Sequence, residues 1–204
     1  MTLSRPLLSL ICYTLFMLLG FGVRVVQHFL RTGRSGILGI SLDHGAAGVL
    51  GGALFVLALP LGLLSPLAAQ LGWVPDLVAL PPWSTEVGVG LGACGFIGAY
   101  LSQSAMGDSW RIGVRTTEAT SLVETGPFSV IRNPIYTFTM MALVGGLFLV
   151  PSWVGLLSFG CLIAGLELQV RYVEEPYLLK RHGEAWKTYA RRVGRFLPGI
   201  GRLS

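Results

Sequence analysis

Charge is what this 204-residue chain has least of: only 12% of its residues are Asp, Glu, Lys or Arg. Soluble domains carry roughly 25%, so an ordinary soluble domain is excluded. Cysteine is scarce as well. Cys12, Cys94 and Cys161 stand singly inside apolar stretches, none at metal-ligand spacing, and three cannot all pair within one chain. A disulfide framework and a cysteine metal centre both drop out, and the three read as buried small hydrophobes. Neither an internal repeat nor a low-complexity tract is present. No small-residue cleavage site follows the first apolar block, which therefore reads as a span rather than a signal peptide.

What the chain has in abundance is apolar sequence in long blocks, and such blocks read as membrane spans. The expected fold class is all-α, a polytopic membrane protein of about five transmembrane helices. They run from about Pro6 to Val23, Gly45 to Leu64, Val87 to Met106, Pro134 to Val150, and Trp153 to Val170. Pro60 and Pro66 are expected to kink or end the second. The third is rich in Gly and Ala, as close helix packing in a bilayer prefers, and offers a face for a homodimer. The fourth and fifth, separated by Pro151-Ser152, are expected to form a tight hairpin.

Of 15 Lys and Arg, all but Arg5 fall in the first and third connecting loops and the tail. Basic loops stay cytoplasmic, so the N-terminus is expected outside and the C-terminal tail inside. Trp73, Trp83 and Trp153 suit an outer interfacial belt, and Trp110 and Trp186 an inner one. Ser65 to Thr85 has no Lys or Arg and is expected outside, with LGWVPDLVALPPW within it along the membrane surface. Bilayer lipid is the expected surrounding partner; no nucleic-acid partner is expected.

Polar residues gather after Met106. In GPFSVIRNPIY, Gly126 to Tyr136, Asn133 can cap and Pro134 begin the fourth span. Arg132 can snorkel to the interface, while the free N–H groups of the helix end suit an electron-rich ligand. Glu167, Arg171, Glu174 and Glu175 follow helical spacings at the inner end of the fifth span. The bland alternative is an ion-pair stripe, Glu167–Arg171 and Arg171–Glu175. The hairpin would bring this stripe beside Arg132-Asn133-Pro134, and a convergent polar site at a membrane surface is a ligand-site candidate.

LVETGPFSVIRNPIY, EEPYL and HGEAWKTYARRVGRFLP together resemble the isoprenylcysteine carboxyl methyltransferase and phospholipid methyltransferase superfamily of integral membrane enzymes. Order and spacing match from Met106 to Pro198; the first three spans match only as membrane helices. The resemblance implies an N-terminal membrane region, 1–105, and a unit, 106–204, in which loop, hairpin and tail hold S-adenosyl-L-methionine. By position, Thr120, Ser121, Leu122, Val123, Gly126, Pro127, Phe128, Arg132, Asn133, Pro134, Ile135, Tyr136 and Glu175 would hold the cofactor. Arg171 would face the acceptor, with Glu167 and Glu174 as candidate bases. No metal is expected. Asn133 stands where the family has histidine, Phe128 where it has tyrosine, and Trp186 departs from its usual aromatic.

The acceptor is expected to be lipid-like, entering from the bilayer. Carboxyl O-methylation of the isoprenylcysteine type is the first expectation, since a carboxylate needs only a cation to orient it. A phospholipid amine is the alternative and would need a base. An NADPH-dependent sterol or steroid reductase is a rival, disfavoured because the loop offers few cations for phosphates. A non-enzymatic membrane scaffold is the last.

Overall fold

The computed structural model describes residues 3–37, 45–113 and 121–204. Five long helices make the bundle: α1 (Arg5–Thr32), α2 (Gly45–Gln70), α3 (Ser84–Met106), α4 (Pro134–Leu149) and α5 (Trp153–His182). A short amphipathic helix, α6 (Glu184–Arg192), precedes the closing segment. The chain is an all-α integral membrane protein. Among the described residues, α1, α2 and α5 are long and apolar enough to cross a bilayer. The apolar α4 is shorter, and α3 packs along it.

Local chemistry sets the helix starts. The Ser4 hydroxyl accepts from Leu7 N at 3.3 Å, with Pro6 in the first turn. The Ser152 hydroxyl does the same for Gly155 N at 3.1 Å, directly after Pro151. Two expected ends are corrected. α2 runs on to Gln70 through Pro60 and Pro66, as membrane helices allow. α1 continues past Arg24, which is buried rather than marking the span's edge. Its guanidinium Nη2 donates to Gln103 O at 3.1 Å and Gly107 O at 2.7 Å, and lies 5.4 Å from the Trp110 ring centroid. A cation at the carbonyl end of α3 satisfies groups the helix leaves open.

The helices pack as two close pairs, α3 with α4 and α2 with α5, with α1 laid against both. Glycines make the approach possible. A Cβ on Gly95 would fall 2.6 Å from Phe138 O, and one on Gly165 2.9 Å from Gly51 O. Helices of residues 1–105 thus pack directly on helices of residues 106–204. The glycine face of α3 expected to be free for a homodimer is partly used within the chain, since Gly88, Gly95 and Gly98 face α4. α4 and α5 are consecutive across Pro151-Ser152, but each packs mainly on its other partner. Trp73, Trp83 and Trp153 are exposed near the turn end of the bundle. Trp110 and Trp186, expected in an interfacial belt, are instead 2% and 3% exposed.

Candidate active site

The site is built where the start of α4, the far end of α5 and the closing segment meet. After the Gly126–Ser129 turn, Ile131 pairs in parallel with Gly194. Arg132 N donates to Gly194 O at 2.8 Å and Asn133 N to Arg195 O at 3.1 Å. Pro134 then opens α4 as expected, but the Asn133 side chain does not cap it. Its Nδ2 donates to Arg195 O at 3.1 Å, because the strand-like pairing turns the residue toward the tail. Thr137 Oγ1 donates to Phe196 O at 2.8 Å, fastening the tail along the first turn of α4.

Arg132 is not a snorkelling surface charge. Its side chain is buried and donates to Ala190 O at 2.7 Å, Val193 O at 2.9 Å, Gly201 O at 2.9 Å and Glu175 Oε1 at 2.7 Å. Arg195 holds the same carboxylate, Nε to Oε1 at 2.8 Å and Nη2 to Oε2 at 2.9 Å. The hydrogen bond to Glu175 raises the Arg195 pKa above its ordinary value, so this guanidinium stays charged. Glu175 therefore ties the first turn of α4 to the tail.

Its neighbour Glu174 is placed differently. The Tyr136 hydroxyl donates to Glu174 Oε1, and both residues line the cavity described below. Glu167 and Arg171 pair with each other at the surface, their side chains 38% and 50% exposed, and neither lines that cavity. The expected Arg171–Glu175 pair is replaced by the two arginine contacts of Glu175. The cause is a π-turn at Val170–Glu174, which adds a residue to the turn and breaks the even spacing on which a single stripe depended.

These elements enclose a cavity of about 410 Å³. Ser121, Leu122, Val123, Phe128, Arg132, Asn133, Pro134, Ile135, Tyr136 and Glu175 all line it. Gly126 and Pro127 form the turn beside it without lining it, and Thr120 lies outside the described residues. Sequence reasoning missed an aromatic wall made of Trp110, Tyr177, Trp186 and Tyr189. The spacing of Trp186, Tyr189 and Ala190 along α6 was its available signal, since one helical face carries all three and all are buried. The Tyr189 hydroxyl donates to Phe128 O at 2.7 Å, and burial pushes its pKa up, keeping it a neutral donor. Arg111 also lines the cavity, with its guanidinium 5.3 Å from the Tyr177 ring centroid. An apolar wing formed by Phe21, Gly48, Gly52, Phe55 and Leu59 runs from this polar end toward the bundle interior. Among the described residues no group of three or more His, Cys, Asp or Glu could hold a metal.

The arrangement thus combines one carboxylate neutralised by two arginines, a second bonded to a tyrosine, aromatic faces and an apolar extension. No curated protein sequence matches the chain significantly. Among solved structures, the eukaryotic intramembrane Ras methyltransferase isoprenylcysteine carboxyl methyltransferase superposes with a TM-score of 0.59 at 17% identity. The match covers 94% of this chain and 67% of that one, and shows a shared membrane fold. The sequence profile of the phospholipid methyltransferase family matches residues 83–185, half of the chain, and takes in the GPFSVIRNPIY junction, Glu174 and Glu175. The chain belongs to the phospholipid methyltransferase family of membrane methyltransferases.

Proposed function

We propose that the protein is an S-adenosyl-L-methionine-dependent methyltransferase acting on a lipid-like acceptor at the cytoplasmic face of the membrane. The supporting observation is that the motif residues Ser121–Val123, Phe128, Arg132–Tyr136 and Glu174–Glu175 line one cavity. The cavity suits the cofactor: its size lies within the range of ligand pockets, and its aromatic faces suit a sulfonium cation. When bound, the cofactor supplies an electrophilic methyl group on cationic sulfur. Trp186, Tyr189 and the Asn133–Tyr136 turn would hold it, and the tail fastened by Arg132 and Glu175 would keep water out. The protein's contribution to such an in-line displacement is position and a charge-matched, dry pocket. Because 14 of the 15 Lys and Arg fall, by sequence, in the first and third connecting stretches and the tail, the site side is read as cytoplasmic and the N-terminus as outside.

Of the two acceptor chemistries, the cavity favours an amine. Glu174 lines the cavity, has Tyr136 to orient it, and can take the proton an ammonium acceptor must lose before its lone pair attacks. The freed amine would take the methyl group in line, and the cofactor would leave as a neutral thioether holding the carbon–sulfur electron pair. The carboxyl reading of the isoprenylcysteine type needs a cation instead. Arg171 lies outside the cavity, so Arg111 would have to serve. Methyl transfer to phosphatidylethanolamine and to N-acetyl-S-farnesylcysteine, tested side by side, separates them. The expected result is transfer to the amine, lowered about 100-fold or more by Glu174→Gln. Transfer to the farnesylcysteine alone, lost in Arg111→Ala and retained in Glu174→Gln, would overturn the amine assignment.

A further inference from the structure

A second cavity of about 250 Å³ lies in the same bundle, toward the Pro151-Ser152 turn. We propose that the acceptor's hydrocarbon chain runs out of the site cavity into this second chamber, which thereby sets the chain length the enzyme prefers. The proposal rests on the lipid-acceptor reading above and adds a subsite to it.

The two spaces follow each other along the helices. On α2 the site cavity ends at Leu59 and the chamber begins at Gly62. On α4 the change falls between Thr139 and Ala142. Three residues of helix are about 4.5 Å, less than one turn. On α1, Leu19 faces the chamber and Phe21 the site cavity. On these three helices the boundary lies at one level, while on α5 the linings stop at Ser158 and resume at Leu166.

That level on α1 is a π-turn, Phe16–Gly22, a feature found often at functional positions. Phe16 lines the chamber and sits edge-on to Phe21, their ring centroids 5.7 Å apart. Phe16 and Phe21 stand at this level on α1, and Ala58, Met140 and Leu162 of the packed core stand at it on α2, α4 and α5.

The chamber suits a hydrocarbon chain. Of the four hydroxyl residues that line it, Ser9, Tyr13, Ser65 and Ser158, three are engaged: Tyr13 donates to Leu59 O at 2.6 Å, Ser158 to Ala58 O at 2.8 Å, and Ser65 shares a bond of 2.8 Å with Ser152. Most of the remaining surface toward the space is glycine, alanine, leucine and phenylalanine. A headgroup with several donors or acceptors would lose its hydration there with few groups to replace it. From the level of Tyr136 to that of Gly146 is ten residues of helix, about 15 Å. Only a long chain whose head is at Glu174 reaches the chamber.

Gly92 allows the test, because a Cβ there meets nothing within 4 Å and projects from the chamber wall. Gly90, equally unobstructed, does not line the chamber and is the matched control. The full-length protein in phosphatidylcholine nanodiscs is irradiated with a lysophosphatidylethanolamine whose palmitoyl-length chain ends in a diazirine. Label is expected on the Phe16–Leu19 or Ala142–Leu147 peptides, lost in Gly92→Leu and kept in Gly90→Leu. In turnover, Gly92→Leu is expected to raise KM for the palmitoyl acceptor about tenfold, roughly 1.4 kcal/mol, leaving kcat and the hexanoyl KM unchanged. Gly146→Leu fills the chamber from the opposite wall and replaces Gly92→Leu if that variant does not fold. Label outside the chamber, label retained in both filling variants, or KM rising equally for both chain lengths would overturn the proposal. So would equal labelling by a phosphatidylcholine probe with no KM shift, which would make the chamber a bilayer-lipid site. Failure of the methyltransferase reading shows separately, as no turnover on any chain, and the labelling then still decides whether the chamber takes the chain.

Discussion

Both oxygens of Glu175 are held by arginines, and its replacement distinguishes a structural clamp from a cofactor ligand. In Glu175→Ala the Arg132 guanidinium, whose side chain is 4% exposed, loses its carboxylate partner at 2.7 Å. Breaking a buried pair by removing one partner costs about 3–5 kcal/mol. Arg132 keeps three carbonyl acceptors, on Ala190, Val193 and Gly201, and Arg195 can turn toward solvent, so the lower end, about 3 kcal/mol, applies. At about 2–4 °C per kcal/mol for a chain of this size, the midpoint of thermal unfolding in detergent should fall by roughly 6–12 °C. Proteolysis should then cut first in the residues after Arg192, which the clamp fastens to α4. S-adenosylhomocysteine affinity, measured on protein still folded at low temperature, should fall only as far as the tail is released. An unchanged melting temperature with an order-of-magnitude loss of that affinity would refute the clamp and make Glu175 a cofactor ligand.

Other outcomes follow from the same geometry. Arg171→Ala removes an exposed pair with Glu167, so stability should change by less than about 1 kcal/mol and turnover should hold; loss of turnover would place Arg171 at the acceptor after all. Tyr136→Phe should lower kcat more than it weakens S-adenosylhomocysteine binding, because it leaves Glu174 without its hydroxyl donor; equal losses would place the tyrosine on the cofactor. Gly98→Ala should destabilise by about 1–3 kcal/mol, since its Cβ would fall 2.3 Å from the Phe138 ring, and an unchanged melting temperature would show that α3 and α4 can separate without cost.

The sequence made the membrane class and most of the cavity wall legible, because apolar blocks and the Asn133-Pro134 junction are local signals. Ser121 to Val123 and Arg132 to Tyr136 reach the cavity as the motif order implied. What was lost depended on contacts distant in the chain or on irregular backbone. A π-turn at Val170–Glu174 carries no clear residue signature, yet it separates Arg171 from Glu174 and Glu175. Trp110 and Trp186 have belt-like positions in sequence, and only the folded tail and the end of α3 show them as buried wall. Arg24 looked like the end of a span because its acceptors, Gln103 O and Gly107 O, lie some eighty residues away. Asn133 had a good capping position, but the strand-like pairing with Gly194 and Arg195 claimed its side chain.

On the proposed function, the cavity beneath the tail binds the methyl donor. The most direct test is calorimetric titration of the purified full-length protein with S-adenosylhomocysteine, with NADPH titrated in parallel. Saturable binding of S-adenosylhomocysteine, lost in Trp186→Ala and absent for NADPH, is the expected result. Binding of NADPH alone, or S-adenosylhomocysteine binding indifferent to the cavity wall, would contradict it.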